Sequence, residues 1–578
     1  MITRFFNRKD WLLVAAAVVL IVGQIWMDIK IPEYMGIITD AFLLSDLDVV
    51  IKYGWEMIAC AFISLFLSLA AGFVLARVAA SIGKNMRIQQ FDHVQDFSVE
   101  DINRFSAASL ITRSTNDVTQ IQNFIARGLQ VIIKCPILAV WGISMIYGTS
   151  IEWTMVTVVG VLVLMVVMLL TLHFAKKRFV KIQWLTDDVN RTTRESIDGI
   201  RVIRAHNAEE YQEKRFEKAN GNLLANNISA SLIMAPAFPI AQSTMNFVTL
   251  GTYWIGMGLI VSTGSVDEQL LLFSDMIVFT SYSTMVISSF MQAFGILRML
   301  PRTTVSLKRI DEVVGTESVI KDGTVTTASE KGTVEFRDVC FRYPGSEKTV
   351  LEGITFRVEK GKTLAIIGTT GSGKSSLVNL ITRFYDVTEG SVSVDGVDVK
   401  DFEIKVLRSK LGYVSQNAII FSGSVGMNVN YGLGSEGRTE EDIDRALEVS
   451  QAKEFVDRMP EGMDSYISQH GKNISGGQKQ RISIARAVCR SPEILILDDA
   501  FSALDYKTDL ELRNSLESEL RDTTKIIVAQ RIGTIKDADE IIVLDKGRIV
   551  GKGKHWDLLR DCQEYRDIAI SQSVAGVE

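Results

Sequence analysis

Six long apolar stretches crowd the first three hundred positions of this 578-residue chain, and they limit its fold before any motif is read. A helix needs about 20 mostly apolar residues to cross a bilayer, where every backbone polar group must be satisfied inside the protein. The stretches lie near Trp11–Met27, Trp55–Ala80, Leu129–Tyr147, Trp153–Phe174, Ile233–Val261 and Leu270–Leu297. Arg4, Arg8 and Lys9 precede the first one in the manner of a secretory leader. No small-residue cleavage site follows and five more stretches do, so it is read as an uncleaved span. Ile2–Asp10 is expected to lie as an amphipathic segment along the inner membrane surface.

The short connections Gly148–Glu152 and Ser262–Gln269 hold acids but no Lys or Arg, which places them outside. The long connections Arg77–Gly128 and Ala175–Ser231 mix both charges in helical patterns and are read as cytoplasmic extensions of the spans. An even number of spans then puts both termini in the cytoplasm. Between Arg298 and Gly332 the apolar character stops and a Thr-, Ser- and Gly-rich stretch begins. The expected organisation is an all-α transmembrane domain at 1–300, a linker at 301–331 and an α/β domain at 332–578. A net charge of −6 gives no reason to expect a nucleic-acid partner. The five cysteines lie far apart without a C-x-x-C pair, so neither a disulfide framework nor a zinc site is expected.

Within the α/β half, the apolar run Leu364–Ile367 is followed by Gly368-Thr369-Thr370-Gly371-Ser372-Gly373-Lys374-Ser375 and then by a helical pattern through Ser376. This is a Walker A loop between strand and helix, where glycines let backbone N–H groups curl around phosphates. Lys374 is placed to reach the terminal phosphates and Ser375 to hold Mg²⁺, so ATP and Mg²⁺ are the expected ligands. A second apolar run, Ile494–Leu497, ends in Asp498, the Walker B acid that would join the Mg²⁺ shell; Asp499 comes next, at the position that faces the attacking water.

Asn473-Ile474-Ser475-Gly476-Gly477-Gln478-Lys479-Gln480-Arg481 closely resembles the signature of ATP-binding-cassette (ABC) proteins, with Ile474 where Leu is usual. Other family elements follow in order: Tyr343 resembles the aromatic that stacks on adenine, Gln416 the Q-loop glutamine at the Mg²⁺ site, and Ser502-Ala503-Leu504-Asp505 the D-loop. The resemblance spans the chain and implies an ABC exporter half-transporter of six spans and one nucleotide domain. It also implies short coupling helices near Ser114–Asp117 and His206–Tyr211.

Three positions depart from the family pattern. Asp499 stands where Glu is usual, Gln530 where His contacts the γ-phosphate, and Ser468-Gln469-His470-Gly471 where an acidic-basic pair is common. Gln530 donates a hydrogen bond but cannot become cationic. Losing both Glu and His beside an intact Walker A loop and signature resembles the degenerate-site subunit of bacterial heterodimeric multidrug exporters. That resemblance implies a homologous but distinct partner that brings the Glu and His, while Ser475–Gln478 of this chain complete the partner's site. The alternatives are an exporter of a specific lipid or peptide, and an ATP-sensing membrane subunit that translocates nothing. Gln242, Asn246 and Gln292, polar groups inside spans, are the candidates for lining a small-molecule cavity, since such groups usually face the bundle interior. Met145, Met168, Met245, Met285, Met291 and Phe290 are the apolar candidates.

Overall fold

A computed structural model describes residues 2–147, 151–297, 299–432 and 434–572. The chain divides into two compact units, one of Met1–Gln95 with Ser106–Thr316 and one of Asp96–Phe105 with Glu317–Glu578. The division at 316/317 falls inside the segment expected to be linker. Residues up to Val314 belong to a helix, Leu300–Val314, of the first unit. The expected outer loop at Gly148–Glu152 falls partly outside the described residues, which omit Gly148–Ser150.

Six helices of the first unit are long and apolar enough to cross a membrane: Arg8–Leu43, Leu47–Gln95, Ala107–Ile146, Ile151–Asp198, Glu209–Ser262 and Val266–Val314. Each contains one of the six apolar stretches. At 1.5 Å per residue the 49-residue second helix is about 74 Å long, against about 30 Å of hydrocarbon. Its polar end therefore continues well past the lipid, as the charge pattern required. The fifth span is broken where Met234 ends one helix and Ala237 starts the next, because Pro236 lacks an N–H and clashes with the preceding turn. Ile21, Ile25, Leu75, Phe279 and Val286 form the buried heart of the bundle.

Packing at the N-terminus adds to the expected picture of this unit, and the expected positions of the short coupling helices are corrected. Phe5 is 1 % exposed, packed among Val78, Ile82, Met86 and Ile310, and its carbonyl accepts from Asn85 Nδ2 at 2.9 Å. The N-terminal segment thus packs one apolar face on the unit while Thr3, Arg4, Asn7, Arg8 and Lys9 stay exposed, an amphipathic arrangement. Arg8–Asp10 already belong to the first span, which Asn7 and Asp10 cap. Ser114–Asp117 is not a coupling helix: it sits in a π-helical turn at the base of the third span. There Asp117 accepts from Ser306 Oγ at 2.8 Å and pairs with Arg309, while Arg113 pairs with Glu312 at 3.1 Å. The short helix of that connection is Val99–Phe105. In the next connection the short helix is Ile200–Ala205, ahead of the expected His206–Tyr211, since Glu209 already opens the following long helix.

The second unit is built on a six-stranded sheet in the order Arg548–Gly553, Glu540–Asp545, Thr363–Gly368, Thr524–Val528, Ile494–Asp498, Leu411–Val414. All neighbours run parallel except the edge strand Arg548–Gly553. Both faces are covered, so the central strands read as unbroken apolar runs instead of alternating ones. An antiparallel sheet containing Val334–Phe341, Leu351–Val358 and Glu389–Val394 packs its Phe336, Val339 and Phe356 with Ile366 and Ile496 in one core.

Val99–Phe105 belongs to this second unit, and one carboxylate anchors it. Asp101, 1 % exposed, accepts from Ser98 N at 3.0 Å, Ser98 Oγ at 2.7 Å, and Ser318 Oγ and Val319 N at 3.3 Å. Asp101→Ala strands these donors, at a cost of about 1–3 kcal/mol for each one left buried. Hydrogen exchange at Ser98 and Val319 should accelerate in the variant; unchanged protection there would show that Asp101 holds nothing in place.

Candidate functional site

The parallel strands deliver their carboxyl ends to one edge of the sheet, where ligands of open α/β sheets bind. Val528 pairs with Ile366 on one side and Asp498 on the other, and Val414 pairs with Leu497. The loops after these strands carry Gly368–Ser375, Asp499, Gln530 and Gln416, so four separated segments of sequence meet.

Gly371 and Gly373 adopt φ of +83° and +104°, a left-handed backbone that side chains resist. At Gly368 a Cβ would stand 2.1 Å from the Leu544 carbonyl oxygen. The loop then opens the helix Lys374–Ile381. Lys374 Nζ donates to the carbonyls of Gly368 at 2.8 Å and Thr369 at 2.9 Å. Burial lowers its pKa, and the negative charges of Asp499 and Asp498 pull it back up. Ser372 Oγ is buried with no hydrogen-bond partner among the described residues. An unsatisfied hydroxyl, a pivoting ammonium and a glycine-shaped cradle fit a phosphate chain. Thr369 and Thr370 complete the loop.

Asp498 is 4 % exposed and its Oδ1 accepts from Ser375 Oγ at 3.1 Å. Among the described residues no cation stands within ion-pair distance of it. Burial pushes its pKa up, opposed by the Ser375 bond, with Asp499 adding to the rise. A carboxylate and a hydroxyl are hard oxygen ligands of the kind Mg²⁺ takes together with phosphate oxygens and water. No group of three or more His, Cys, Asp or Glu side chains suited to a metal occurs among the described residues, so the donor set does not fit an all-protein metal cage.

Asp499 lies in the left-handed region at φ +52°, where Asp is tolerated better than most residues. Its N–H donates to the Val528 carbonyl at 3.0 Å, and its own carbonyl accepts from Ser502 Oγ at 2.9 Å. Two amides converge on its Oδ2: Gln530 Nε2 at 2.9 Å and Gln416 Nε2 at 3.3 Å. A carboxylate only accepts, so both glutamines must turn their NH₂ groups towards it. Burial raises the Asp499 pKa, while Gln416, Lys374, Ser502 and Gln530 pull it down. Gln416 is thereby engaged by Asp499, with Asp498 bonded to Ser375 alone among the side chains named.

Tyr343 Oη is 2.9 Å from Ser376 Oγ, and its ring stands edge-on to Tyr385, centroids 5.2 Å apart. Burial raises the pKa of the Tyr385 phenol, and Asn103, in the short helix Val99–Phe105, pulls it back down. Ser475 caps the helix Gly476–Val488, accepting from Gln478 N at 3.3 Å while Gln478 Oε1 accepts from Ser475 N at 2.9 Å. Gly477 approaches the Ala503 carbonyl too closely for a comfortable side chain, with 3.1 Å to a Cβ placed there. Asp505 caps the next helix through Thr508, and those bonds hold its carboxyl below the usual range. Ser475–Gln478 and Asp505 share no hydrogen bond with the Walker residues among those described.

Sequence reasoning missed Tyr385, Asn103 and Gln572. The last grips the loop that carries Gln530: its Nε2 donates to the Gln530 carbonyl at 2.7 Å and its Oε1 accepts from Ile532 N at 2.9 Å. A glutamine forty residues downstream leaves no periodic or motif signal. In the first unit, Gln292 borders a polar cavity, whereas Gln242 and Asn246 bond each other at 3.4 Å on an exposed helix face and border none of the described cavities. Met285 borders the polar cavity; Met168, Phe290 and Met291 border an apolar one.

Residues 14–290 match the ABC transporter transmembrane region and residues 351–502 the ABC transporter family. An uncharacterized ABC transporter ATP-binding protein of Mycobacterium tuberculosis is 36% identical over 94% of this chain and 92% of its own. The ABC transporter ATP-binding protein YfiB of Bacillus subtilis is 33% identical over 98% of this chain and 97% of its own. An ATP-dependent lipid A-core flippase of Aromatoleum aromaticum is 31% identical over 84% of this chain and 80% of its own. A bacterial Atm1-family ABC exporter solved with ATP bound shares the fold at a TM-score of 0.86 and 22% identity, covering 99% of this chain and 100% of the other. The chain therefore belongs to the ABC transporters, with a six-helix membrane region joined to an ABC ATPase domain.

Proposed function

We propose that this chain is one half of a heterodimeric exporter in the cell membrane, with its ATPase domain and both termini in the cytoplasm, and that its own Walker site turns over ATP slowly. The observation that carries the reading is the pair of glutamine amides on Asp499 Oδ2. A general base must present a free, correctly placed lone pair to the water it activates. Here the carboxylate is one methylene shorter than Glu, and two neutral donors hold its Oδ2, which fixes its aim and leaves only Oδ1 without a glutamine donor. Gln530 also brings no positive charge to a γ-phosphate.

In the mechanism, Gly368–Ser375 cradle the phosphates, with Lys374 exchanging its carbonyl partners for phosphate oxygens. Ser376, at the start of the helix Lys374–Ile381, and Tyr343, which reaches it from the loop after Val334–Phe341, mark the adenine side. Ser375, Asp498 and Gln416 would hold Mg²⁺, which when bound offsets phosphate charge. Ser475–Gln478, with Ser475 and Gly476 exposed, are free to complete the site of a distinct, homologous partner, and the segment before Asp505 lies close by, the Ala503 carbonyl facing Gly477. Closure of the ATPase domains around ATP drives alternating access of the spans to a hydrophobic or amphipathic small molecule. Hydrolysis at the partner's Walker site resets the cycle. The flippase names among the relatives favour a lipid as cargo over diverse drugs.

Reviving the slow site tests the core of this reading. Asp499→Glu combined with Gln530→His should raise nucleotide turnover there by on the order of 10²-fold, the scale associated with a misplacement of about 1 Å. Nucleotide trapping in the assembled pair reads each site separately; equal turnover at both sites of the unmodified protein would sink the proposal. Asp498→Asn should abolish the Mg²⁺ dependence of ATP binding at this site, as measured by titration with and without chelator. Because burial raises the Asp498 pKa, protons compete with Mg²⁺ at a higher pH than for an exposed aspartate. The half-saturating Mg²⁺ concentration should accordingly climb as pH falls, beginning above the ordinary aspartate range.

A further inference from the structure

The spans hold an ion pair that the ATPase chemistry does not use. Lys134 Nζ, on the third span, lies 2.9 Å from Asp28 Oδ2 on the first, and Ser64 Oγ of the second donates to Asp28 Oδ1. Asp28 directly follows the apolar stretch Trp11–Met27, Ser64 lies within Trp55–Ala80 and Lys134 within Leu129–Tyr147, so the pair is set among the apolar stretches of three spans. Ionisable groups there are costly and usually mark a pathway for what is carried. The two side chains keep 19% and 22% of their surface open, and they border a cavity of about 180 Å³ together with Ser288, Ser289 and Gln292 of the sixth span.

The cavity's balance of charge and hydrogen bonding selects what it takes. Lys30 and Glu33, further along the first span, neutralise each other at 2.7 Å, which leaves the cavity with one cation and one anion. Ser288 and Ser289 spend their hydroxyl hydrogens on the carbonyls of Met285 at 2.9 Å and Val286 at 2.7 Å; the Ser288 oxygen remains as an acceptor, while that of Ser289 already accepts from the Cys135 thiol at 3.8 Å. Gln292 offers both donor and acceptor. A ligand head with a single charge would open the Asp28–Lys134 pair and leave one arm uncompensated in a medium of low dielectric. A head carrying both charges replaces the pair arm for arm.

From this geometry we infer that the Asp28–Lys134 cavity is a recognition site for amphiphiles with a zwitterionic head, the cationic group against Asp28 and the anionic group against Lys134. The inference rests on the reading of the chain as an exporter and names the cargo class of that machine. The neighbouring apolar cavity bordered by Leu164, Phe238 and Met291 gives such a molecule's tail a compatible surface in the same unit.

The test holds the assembled transporter in neutral maltoside micelles and titrates three probes with the same dodecyl tail: dodecylphosphocholine, dodecyltrimethylammonium and dodecyl phosphate. Binding is read from tryptophan fluorescence, since Trp26 and Trp141, on the same two spans as Asp28 and Lys134, meet at 5.2 Å. The zwitterionic probe should saturate at about tenfold lower mole fraction than either singly charged one, a difference of about 1.4 kcal/mol. Asp28→Asn should erase its advantage over dodecyl phosphate, and Lys134→Gln its advantage over dodecyltrimethylammonium. The double variant, which restores a neutral hydrogen-bonding pair, should show no preference even where thermal unfolding matches the unmodified protein. Equal binding of the three probes by the unmodified protein, or a preference that survives in the double variant, overturns the inference. ATP turnover of the unmodified transporter without any probe is a separate readout: its loss would strike the exporter reading and leave the binding result standing.

Discussion

Everything chemical in the second unit hangs on the parallel ladder in which Val528 faces Ile366 on one side and Asp498 on the other. Side chains alternate across a strand, so a slip of one residue would turn Asp498 from the site into the core and bring an apolar neighbour outward. The register is protected by burial on both faces, with Ile366, Ile496 and Ile526 all fully buried. Apolar packing thus fixes the aim of polar groups at the strand ends. The same ladder places Asp499, whose N–H continues it by bonding the Val528 carbonyl before the chain turns left-handed.

What the sequence made legible follows from the range of each interaction. Spans and Walker elements are local: an apolar run, or a glycine loop between strand and helix, announces itself within twenty residues. All six spans and the α/β architecture could be read that way. The short helices lie at Val99–Phe105 and Ile200–Ala205, ahead of the Ser114–Asp117 and His206–Tyr211 that the family resemblance implied, and a turn of helix with few apolar positions carries almost no periodic signal that could have corrected them. The burial of Phe5 could not be read from the amphipathic pattern of Ile2–Asp10, because its partners Ile82 and Ile310 are distant in sequence.

The site shows the same divide. Asp498, Ser375 and Lys374 were readable from motif spacing. The convergence of Gln416 and Gln530 on one oxygen of Asp499 was not, since it depends on three loops meeting above the sheet. Asp28 and Lys134 escaped for a related reason: each stands at or within the margin of an apolar stretch and looks interfacial alone. Only the packing of the first and third spans makes them a pair.

The grip of Gln572 on the loop of Gln530 turns the far end of the described chain into a handle on the γ-phosphate side of the site. One amide holds both the carbonyl before Arg531 and the N–H after it, so a load applied there is felt within one residue of the switch position. Because Gln572 ends the helix Gln563–Ser571, any shift of that helix is passed directly to the loop of Gln530. The other end is held as well, because Phe5 is a packed part of the membrane unit.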